Sequence, residues 1–248
     1  MGKYHTGVFY GPADPAKFGD GLRGMFQSLR TDIGSFASDN LITFERNLSF
    51  LTDEAFMAAF RRHATTVVEH AVIWRVATVA WGARNAMRLS GDLVECACYK
   101  GVTANIVSDY VRLAEHPERK YYLYDLFEHD ASMPHHKLPE HGASLFQQVR
   151  QRFADLPNVV VTQGRVPDSF AQAIPEKIAF LHLDLNNAQA ELGALEVLFE
   201  RMVPGAVMIL DDYGWLAYRQ QKMAEDPWFA ARGYQVLELP TGQGMLVK

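Results

Sequence analysis

The sequence predicts an α/β protein with a doubly wound, mostly parallel seven-stranded sheet that follows an N-terminal helical extension. From residue 92 onward, short apolar runs alternate with amphipathic helical patterns, as in sheets whose strands are joined by crossover helices. The last two runs are joined only by residues 240–243, which allows a hairpin but no crossover helix. Residues 1–90 lack this alternation and carry helical periodicity instead. We therefore predict two regions, 1–90 and 91–248.

The predicted strands are apolar runs bounded by turn residues or helical patterns. They are residues 92–97, 121–127, 158–164, 178–185, 206–212, 234–239 and 244–248. The first six are separated by helical patterns, so the sheet is expected to be parallel until the final antiparallel hairpin.

The N-terminal region is expected to serve as a lid and as an oligomer contact. Residues 53–87 repeat apolar positions at helical spacing, and from Val67 to Trp81 the apolar character extends well around the helix. Such a surface packs on the main domain or on a second subunit, which predicts a homo-oligomer. The stretch from Gly11 to Gly34 is richer in Gly, Asp and Pro and predicts a mobile segment that could fold over a site.

Composition narrows the class of protein. The chain has 248 residues, a net charge of −5 and a pI near 6.0, which argues against nucleic acid as the main partner. No apolar run reaches membrane-spanning length and the N-terminus lacks a signal-like pattern, so no membrane partner is expected. Cys96 and Cys98 are too closely spaced on one strand to pair, and no second Cys/His pair completes a zinc site. These features predict a soluble cytoplasmic protein.

Acidic or glycine residues follow each of the first five predicted strands. Ligands of parallel sheets bind beyond the carboxyl ends of the strands, so these positions are the site candidates. They are residues 95–101, 125–128, 163–164, 184 and 211–213.

The loop after the first strand predicts a cofactor without phosphates. A dinucleotide site would need G-x-G-x-x-G, but only Gly101 is present and Ala97 stands where a glycine would be expected. S-adenosylmethionine could place its carboxylate at the helix that Gly101 opens, while Glu95 attracts its ammonium or sulfonium charge. An ordinary strand-to-helix turn is the alternative.

The next two strand ends extend this prediction. Asp125 can accept both hydrogen bonds of a ribose diol, although it could also cap a loop. Gln163 and Gly164 lie where an adenine edge is expected, although Gly164 could be a turn residue.

Three aspartates predict a metal site. Asp184 ends the fourth strand, Asp211 and Asp212 end the fifth, and these ends should be neighbours. Two carboxylates about 4 Å apart repel by roughly 4 kcal/mol, which a divalent cation such as Mg²⁺ would offset. Adjacent residues on a regular strand point to opposite faces, so both can ligate only if the strand ends there, and Gly214 favours such an ending. Alternatively, Asp212 caps the next helix and Asp211 is solvated.

The sequence resembles the macrocin/mycinamicin-type sugar O-methyltransferases, a class I, Rossmann-like family. The matching stretches are GDLVECACYKG, YYLYDLFE, IAFLHLDLNN, ALEVLFERMVPGAVMILDDYG and LPTGQGMLVK. The resemblance implies metal-assisted methyl transfer from S-adenosylmethionine, with S-adenosylhomocysteine as product, and implies that Asp184, Asp211 and Asp212 hold the metal. The candidate cofactor residues are Glu95, Ala97, Tyr99, Gly101, Thr103, Asp125, Leu126, Gln163, Gly164 and Asp184. The chain departs from the family's pattern at Ala97, at Gly101-Val102-Thr103, where Gly-Gly-Ser is usual, and at Asn186, where an acid is common.

The expected acceptor is a small-molecule hydroxyl. A vicinal diol or catechol-like group is favoured, because its second oxygen could chelate the same metal ion. Asn187 stands where catechol-type enzymes have a lysine, which favours a sugar or other natural product. Asp184 and one of His135 and His136 are the catalytic candidates, the histidines as general base. A solvated loop without chemistry is the alternative for residues 128–142.

Two other classes of protein fit the sequence less well. A nicotinamide-dependent oxidoreductase would need the missing phosphate loop. A non-catalytic nucleoside-binding or assembly module would not need three aspartates.

Overall fold

The computed structural model describes residues 2–129, 133 and 137–248. The chain forms two compact units, Met1–Ala77 and Thr78–Lys248. Residues 78–90 are thus grouped with the second unit, whereas helical periodicity in the sequence places them with the first. In the described part of the chain, no helix is both long and apolar enough to cross a membrane.

The first unit combines helices with a small sheet that helical periodicity does not predict. Its strands, in the order β1-β2-β3, are β1 (Lys3–His5), β2 (Ser35–Ser38) and β3 (Leu41–Phe44). Strand β1 runs parallel to β2, and β3 runs antiparallel to it. The segment predicted to be mobile contains helix α1 (Pro15–Ser28), which begins where the Asp14 side chain accepts a hydrogen bond from the Lys17 amide.

The periodic stretch 53–87 forms three helices. They are α2 (Glu54–His63), α3 (Val67–Ala71) and α4 (Ile73–Ala86), the last of which crosses the boundary between the units. The interruption after α2 has a local cause, because Thr66 and Glu69 form a reciprocal capping box that starts a new helix.

The second unit contains the predicted seven-stranded sheet. Its strands are β4 (Asp92–Cys96), β5 (Tyr121–Asp125), β6 (Val159–Gln163), β7 (Ile178–Leu183), β8 (Met202–Leu210), β9 (Leu237–Glu238) and β10 (Gly244–Val247). The order is β6-β5-β4-β7-β8-β10-β9, with parallel pairing from β6 to β8. Strand β10 is antiparallel to both β8 and β9. The predicted fold class, including the C-terminal hairpin, is confirmed.

Helices follow the strands in the alternation that the sequence predicts. They are α5 (Val102–Tyr110), α6 (Leu145–Arg152), α7 (Ala188–Leu198) and α8 (Arg219–Ala230). Strand β7 is buried along its whole length, as a central strand covered on both faces requires.

The strand order positions the site. The chain moves outward from β4 to β5 and β6, then returns to place β7 on the other side of β4. Reversal of this kind opens a crevice at the carboxyl ends of the two central strands. The register aligns Cys96 with Leu183 and Leu183 with Leu210, so the loops after β4, β7 and β8 start at the same level.

Candidate active site

A cavity of about 450 Å³ lies at the carboxyl ends of β4 to β7, within the size range of small-molecule sites. Six of the predicted cofactor residues line it, namely Ala97, Tyr99, Asp125, Leu126, Gly164 and Asp184. The remaining four, Glu95, Gly101, Thr103 and Gln163, are not part of its lining.

The β4–α5 loop owes its shape to left-handed backbone conformations. Ala97, Tyr99 and Gly101 have φ of 68°, 48° and 70°. Gly101 caps α5, and a Cβ atom there would lie 2.8 Å from a ring carbon of Phe153, so glycine is required. Ala97 adopts a conformation that glycine adopts without strain, which explains why a glycine is expected there.

Asp125 holds this loop against the end of β5. Its Oδ2 accepts a 2.7 Å hydrogen bond from the Tyr99 amide, and its Oδ1 accepts a 2.5 Å bond from the Phe127 amide. A carboxylate oxygen can accept more than one hydrogen bond, so these two bonds do not by themselves exclude a ribose diol. The carboxyl group thus shapes the loop and faces the cavity.

The residues at the end of β6 form another wall of the cavity. The Gly164 amide donates to the Asp125 carbonyl oxygen at 2.9 Å, and a Cβ on Gly164 would come within 3.0 Å of Ser169 Cβ. Gln163 directs its side-chain amide to the Leu126 carbonyl oxygen at 3.3 Å. Gln163 therefore holds the loop after β5 in place, while Gly164, which has no side chain, exposes its backbone to the cavity.

Glu95 is buried inside the sheet, with 2% of its surface exposed. Its Oε2 accepts a 2.6 Å hydrogen bond from the Tyr121 hydroxyl and lies 3.7 Å from Nδ1 of His182. Burial, reinforced by the neighbouring Glu95 charge, raises the pKa of Tyr121 well above its usual value, so this hydroxyl remains a donor. The structure therefore places Glu95 in a polar network within the sheet.

The three predicted aspartates meet beside the cavity. One carboxylate oxygen from each of Asp184, Asp211 and Asp212 can be chosen so that all lie within 4.8 Å of one another. Strand β8 ends at Leu210, so Asp211 and Asp212 lie in a turn and are free of strand alternation. Both are buried, at 8% and 6% exposure, which disfavours the alternative of a solvated Asp211. Hard oxygen donors at this spacing fit a divalent cation.

Two buried side chains contact Asp211. The Gln243 side-chain amide donates to Asp211 Oδ1 at 2.7 Å, and Nε2 of His182 lies 3.5 Å from the same oxygen. Gln243 is fully buried and has a second partner, the hydroxyl of Thr241 at 2.9 Å. A carboxylate held this way keeps a fixed orientation toward a ligand.

The catalytic candidates His135 and His136 lie outside the described residues. Two histidines of the same segment are described, and their rings stack at 6.2 Å: His129 and His141. His141 lines the cavity, and its Nδ1 accepts a 3.3 Å hydrogen bond from the Leu138 amide.

Comparison with known protein families decides the identity. The profile of the family described as macrocin-O-methyltransferase (TylF) matches residues 75–229, more than half of the chain. The chain belongs to the macrocin O-methyltransferase family. It is an S-adenosylmethionine-dependent O-methyltransferase.

Solved structures agree with this fold. The O-methyltransferase NovP shares 16% identity at a TM-score of 0.62, over 72% of this chain and 81% of NovP. CalS11, a TDP-rhamnose 3'-O-methyltransferase of calicheamicin biosynthesis, shares 12% identity at 0.55, over 96% of both chains. The methyltransferase PaMTH1 of Podospora anserina, bound to S-adenosylhomocysteine, shares 10% at 0.55, over 96% of this chain and 97% of PaMTH1. No curated protein sequence matches the chain.

The methyltransferase's site contains residues that sequence reasoning missed. Gln243 stands in the PTGQG stretch, which predicts the hairpin and carries part of the family resemblance, but its polarity gives no sign that it is buried against Asp211. Asn186 and Tyr218 line the cavity of this macrocin-type enzyme, although neither was a candidate. The position of Asn186, two residues after Asp184, was the available signal.

Proposed function

We propose that this methyltransferase is divalent-metal-dependent and acts on a hydroxyl group of a sugar or other natural product, with a vicinal diol as the favoured acceptor. The observation that carries the metal dependence is the cluster of Asp184, Asp211 and Asp212 beside the cavity. Three carboxylates at this spacing repel one another by several kcal/mol, at roughly 4 kcal/mol per pair, unless a cation or protons compensate. Magnesium or a similar ion fits an all-oxygen donor set.

Different residues of the cavity would bind the methyl donor and the acceptor. Asp125 would bind the ribose of S-adenosylmethionine, and the backbone from Ala97 to Gly101 would face its methionine portion. Asp184 lines the cavity and belongs to the carboxylate cluster, so it would align the acceptor with the donor's methyl group. Alignment of two reacting centres can supply roughly 7–11 kcal/mol of the barrier.

The proton of the acceptor hydroxyl must leave as the methyl group is transferred. A bound divalent ion lowers the pKa of a coordinated hydroxyl, which makes it nucleophilic near neutral pH. His135 or His136 would accept the released proton as general base. The positive charge of the sulfonium is lost in the same step, so the side chains need to stabilise no new charge on the donor.

The proposed class of acceptor is supported by the family and by the net charge of the chain. The macrocin-type profile and the sugar acceptor named for CalS11 support a sugar hydroxyl. A net charge of −5 favours a small molecule over nucleic acid. Buried free thiols at Cys96 and Cys98 support a reducing, cytoplasmic location.

The N-terminal region 1–90 is proposed as a lid and oligomer contact, with 91–248 as the donor-binding domain. Val67 and Val68 expose 61% and 52% of their surfaces, which supports a protein contact in that region.

Calorimetry tests the proposed function. Titration of S-adenosylmethionine should give saturable binding of one donor per chain, and Mg²⁺ should add a heat that EDTA removes. The Asp211→Asn variant should retain donor binding and lose the Mg²⁺ heat. If the wild type shows no Mg²⁺ heat with the donor bound, the metal dependence is wrong, and glycosides and diols would then be screened without metal.

A further inference from the structure

The loop between β7 and α7, residues 184–187, carries strain at the wall of the cavity. Asn186 has a φ of 54°, in the left-handed region, and it lines the cavity together with Asp184. Its Oδ1 is buried and has no hydrogen-bond partner among the described residues. A buried polar atom without a hydrogen bond costs free energy, so this loop conformation depends on contacts from the surrounding structure.

One such contact comes from Glu191 on α7. Its Oε1 accepts a 3.2 Å hydrogen bond from the Leu185 amide, which belongs to the peptide bond between Asp184 and Leu185. The same oxygen accepts a 2.5 Å hydrogen bond from Nε2 of Gln221 on α8. Glu191 is 1% exposed, so no water competes for these bonds. The carboxyl group therefore ties the cavity loop to α8.

A second buried carboxyl group lies beside Glu191. Glu225 on α8 is fully buried and lies next to Glu191, with both of its carboxylate oxygens lacking a hydrogen-bond partner among the described residues. Burial raises the pKa of Glu191 well above its usual value, and the neighbouring Glu225 carboxyl group adds to the effect. The other charged or titratable groups facing the pair are Cys96 on β4 and, on α8, Lys222 and Asp226. Burial likewise raises the pKa of Glu225, so the protonated form is favoured for this pair of buried carboxyl groups.

We propose that Glu191 is a positioning residue of this methyltransferase, which fixes the Leu185 peptide so that Asp184 and Asn186 present their side chains to the cavity. Its Oε1 accepts the Leu185 and Gln221 bonds, which hold the loop to α8. For the metal, this inference rests on the proposed function. For the loop itself, it stands on the hydrogen bonds of Glu191 alone.

Three variants separate positioning from general packing. Glu191→Gln retains a side-chain oxygen for the two N–H donors, so it is the conservative variant. Glu191→Leu removes both bonds. Glu196→Leu is the matched control, because Glu196 also joins α7 to α8, through Trp228 at 2.5 Å and Arg232 at 3.2 Å, without touching the cavity loop.

Two readouts are needed, neither of which requires the acceptor. Amide hydrogen exchange reports the Leu185 N–H directly: it should be protected in the wild type, Glu191→Gln and Glu196→Leu, and exchange faster in Glu191→Leu. Titration with Mn²⁺, followed by the paramagnetic resonance of the free ion, should show about tenfold weaker binding in Glu191→Leu, as for other residues that orient metal ligands. Binding to Glu191→Gln and Glu196→Leu should match the wild type.

Each outcome is decisive. Unchanged Leu185 exchange in Glu191→Leu, or equal loss of Mn²⁺ binding in Glu196→Leu, would overturn the positioning role. If Glu191→Leu does not fold, Gln221→Leu replaces it, with the same exchange and binding expected in weaker form. If the wild type itself binds no Mn²⁺, the proposed metal site fails, and Leu185 exchange still decides the role of Glu191.

Discussion

Gln243 donates a 2.7 Å hydrogen bond to Asp211 across the C-terminal end of the sheet. The two residues are 32 positions apart and meet because β10 lies antiparallel beside β8, with Gly244 opposite Leu210. The C-terminal hairpin thus does more than close the sheet, since it delivers a buried amide to a carboxylate of the proposed metal site.

Replacing this amide should weaken metal binding. Gln243→Met keeps the side-chain volume and removes the donor to Asp211, so we expect about tenfold weaker Mg²⁺ or Mn²⁺ binding. Calorimetry with the donor bound measures it. Thr241→Val, which removes only the contact behind Gln243, should change the affinity less. Equal affinities in wild type and Gln243→Met would show that Gln243 does not orient Asp211.

Strain at Ala97 predicts a stabilising substitution. A left-handed residue with a Cβ costs about 1–2 kcal/mol, and glycine costs about 0.5–1 kcal/mol in chain entropy. Ala97→Gly should therefore raise the free energy of unfolding by about 0.5–1 kcal/mol, measured by urea denaturation. The same change at Ala104, buried inside α5, should lower it by about 1 kcal/mol or more. A destabilised Ala97→Gly would contradict the strain assigned to this loop.

The buried Glu191 predicts a pH dependence of stability. Its folded-state pKa is raised above 4.5, the value of a free glutamate, chiefly by burial. Its stabilising contribution is therefore complete below about pH 4.5 and is lost as the pH rises toward the folded-state pKa. Glu191→Gln carries no titrating proton at this position. The unfolding free energy of the wild type should thus fall relative to that of the variant as the pH rises above about 4.5, and parallel curves would refute the shift.

The two thiols should be unreactive in the folded protein. Burial raises the pKa of both Cys96 and Cys98 well above the usual value, so little thiolate exists at about pH 8. Ellman's reagent should react with neither before unfolding and with both in denaturant. Rapid reaction of either thiol in the native state would show that the β4 end opens to solvent.

The local pattern of apolar and polar residues was sufficient to predict much of the fold. The alternation of apolar runs and helices determined the sheet, and the four-residue link before Gly244 determined the hairpin, because crossover length separates parallel from antiparallel connections. Strand-end position also identified Asp125, Asp184, Asp211 and Asp212, since parallel strands bring their carboxyl ends to one edge. The three strands of the first unit escaped this reasoning, because strands of three or four residues carry little periodicity.

Only the tertiary structure decided which polar residues are partners. Glu95 reads as a strand-end acid facing a ligand, yet the register of β4 with β5 and β7 places it between Tyr121 and His182. Gln243 and Glu191 read as ordinary polar residues, yet strand pairing and helix packing bury them against Asp211 and the Leu185 peptide. The sequence alone determined the fold and the carboxylate cluster through local periodicity. The contacts that orient this cluster depend on residues distant in the chain, whose pairing is set by strand register and packing.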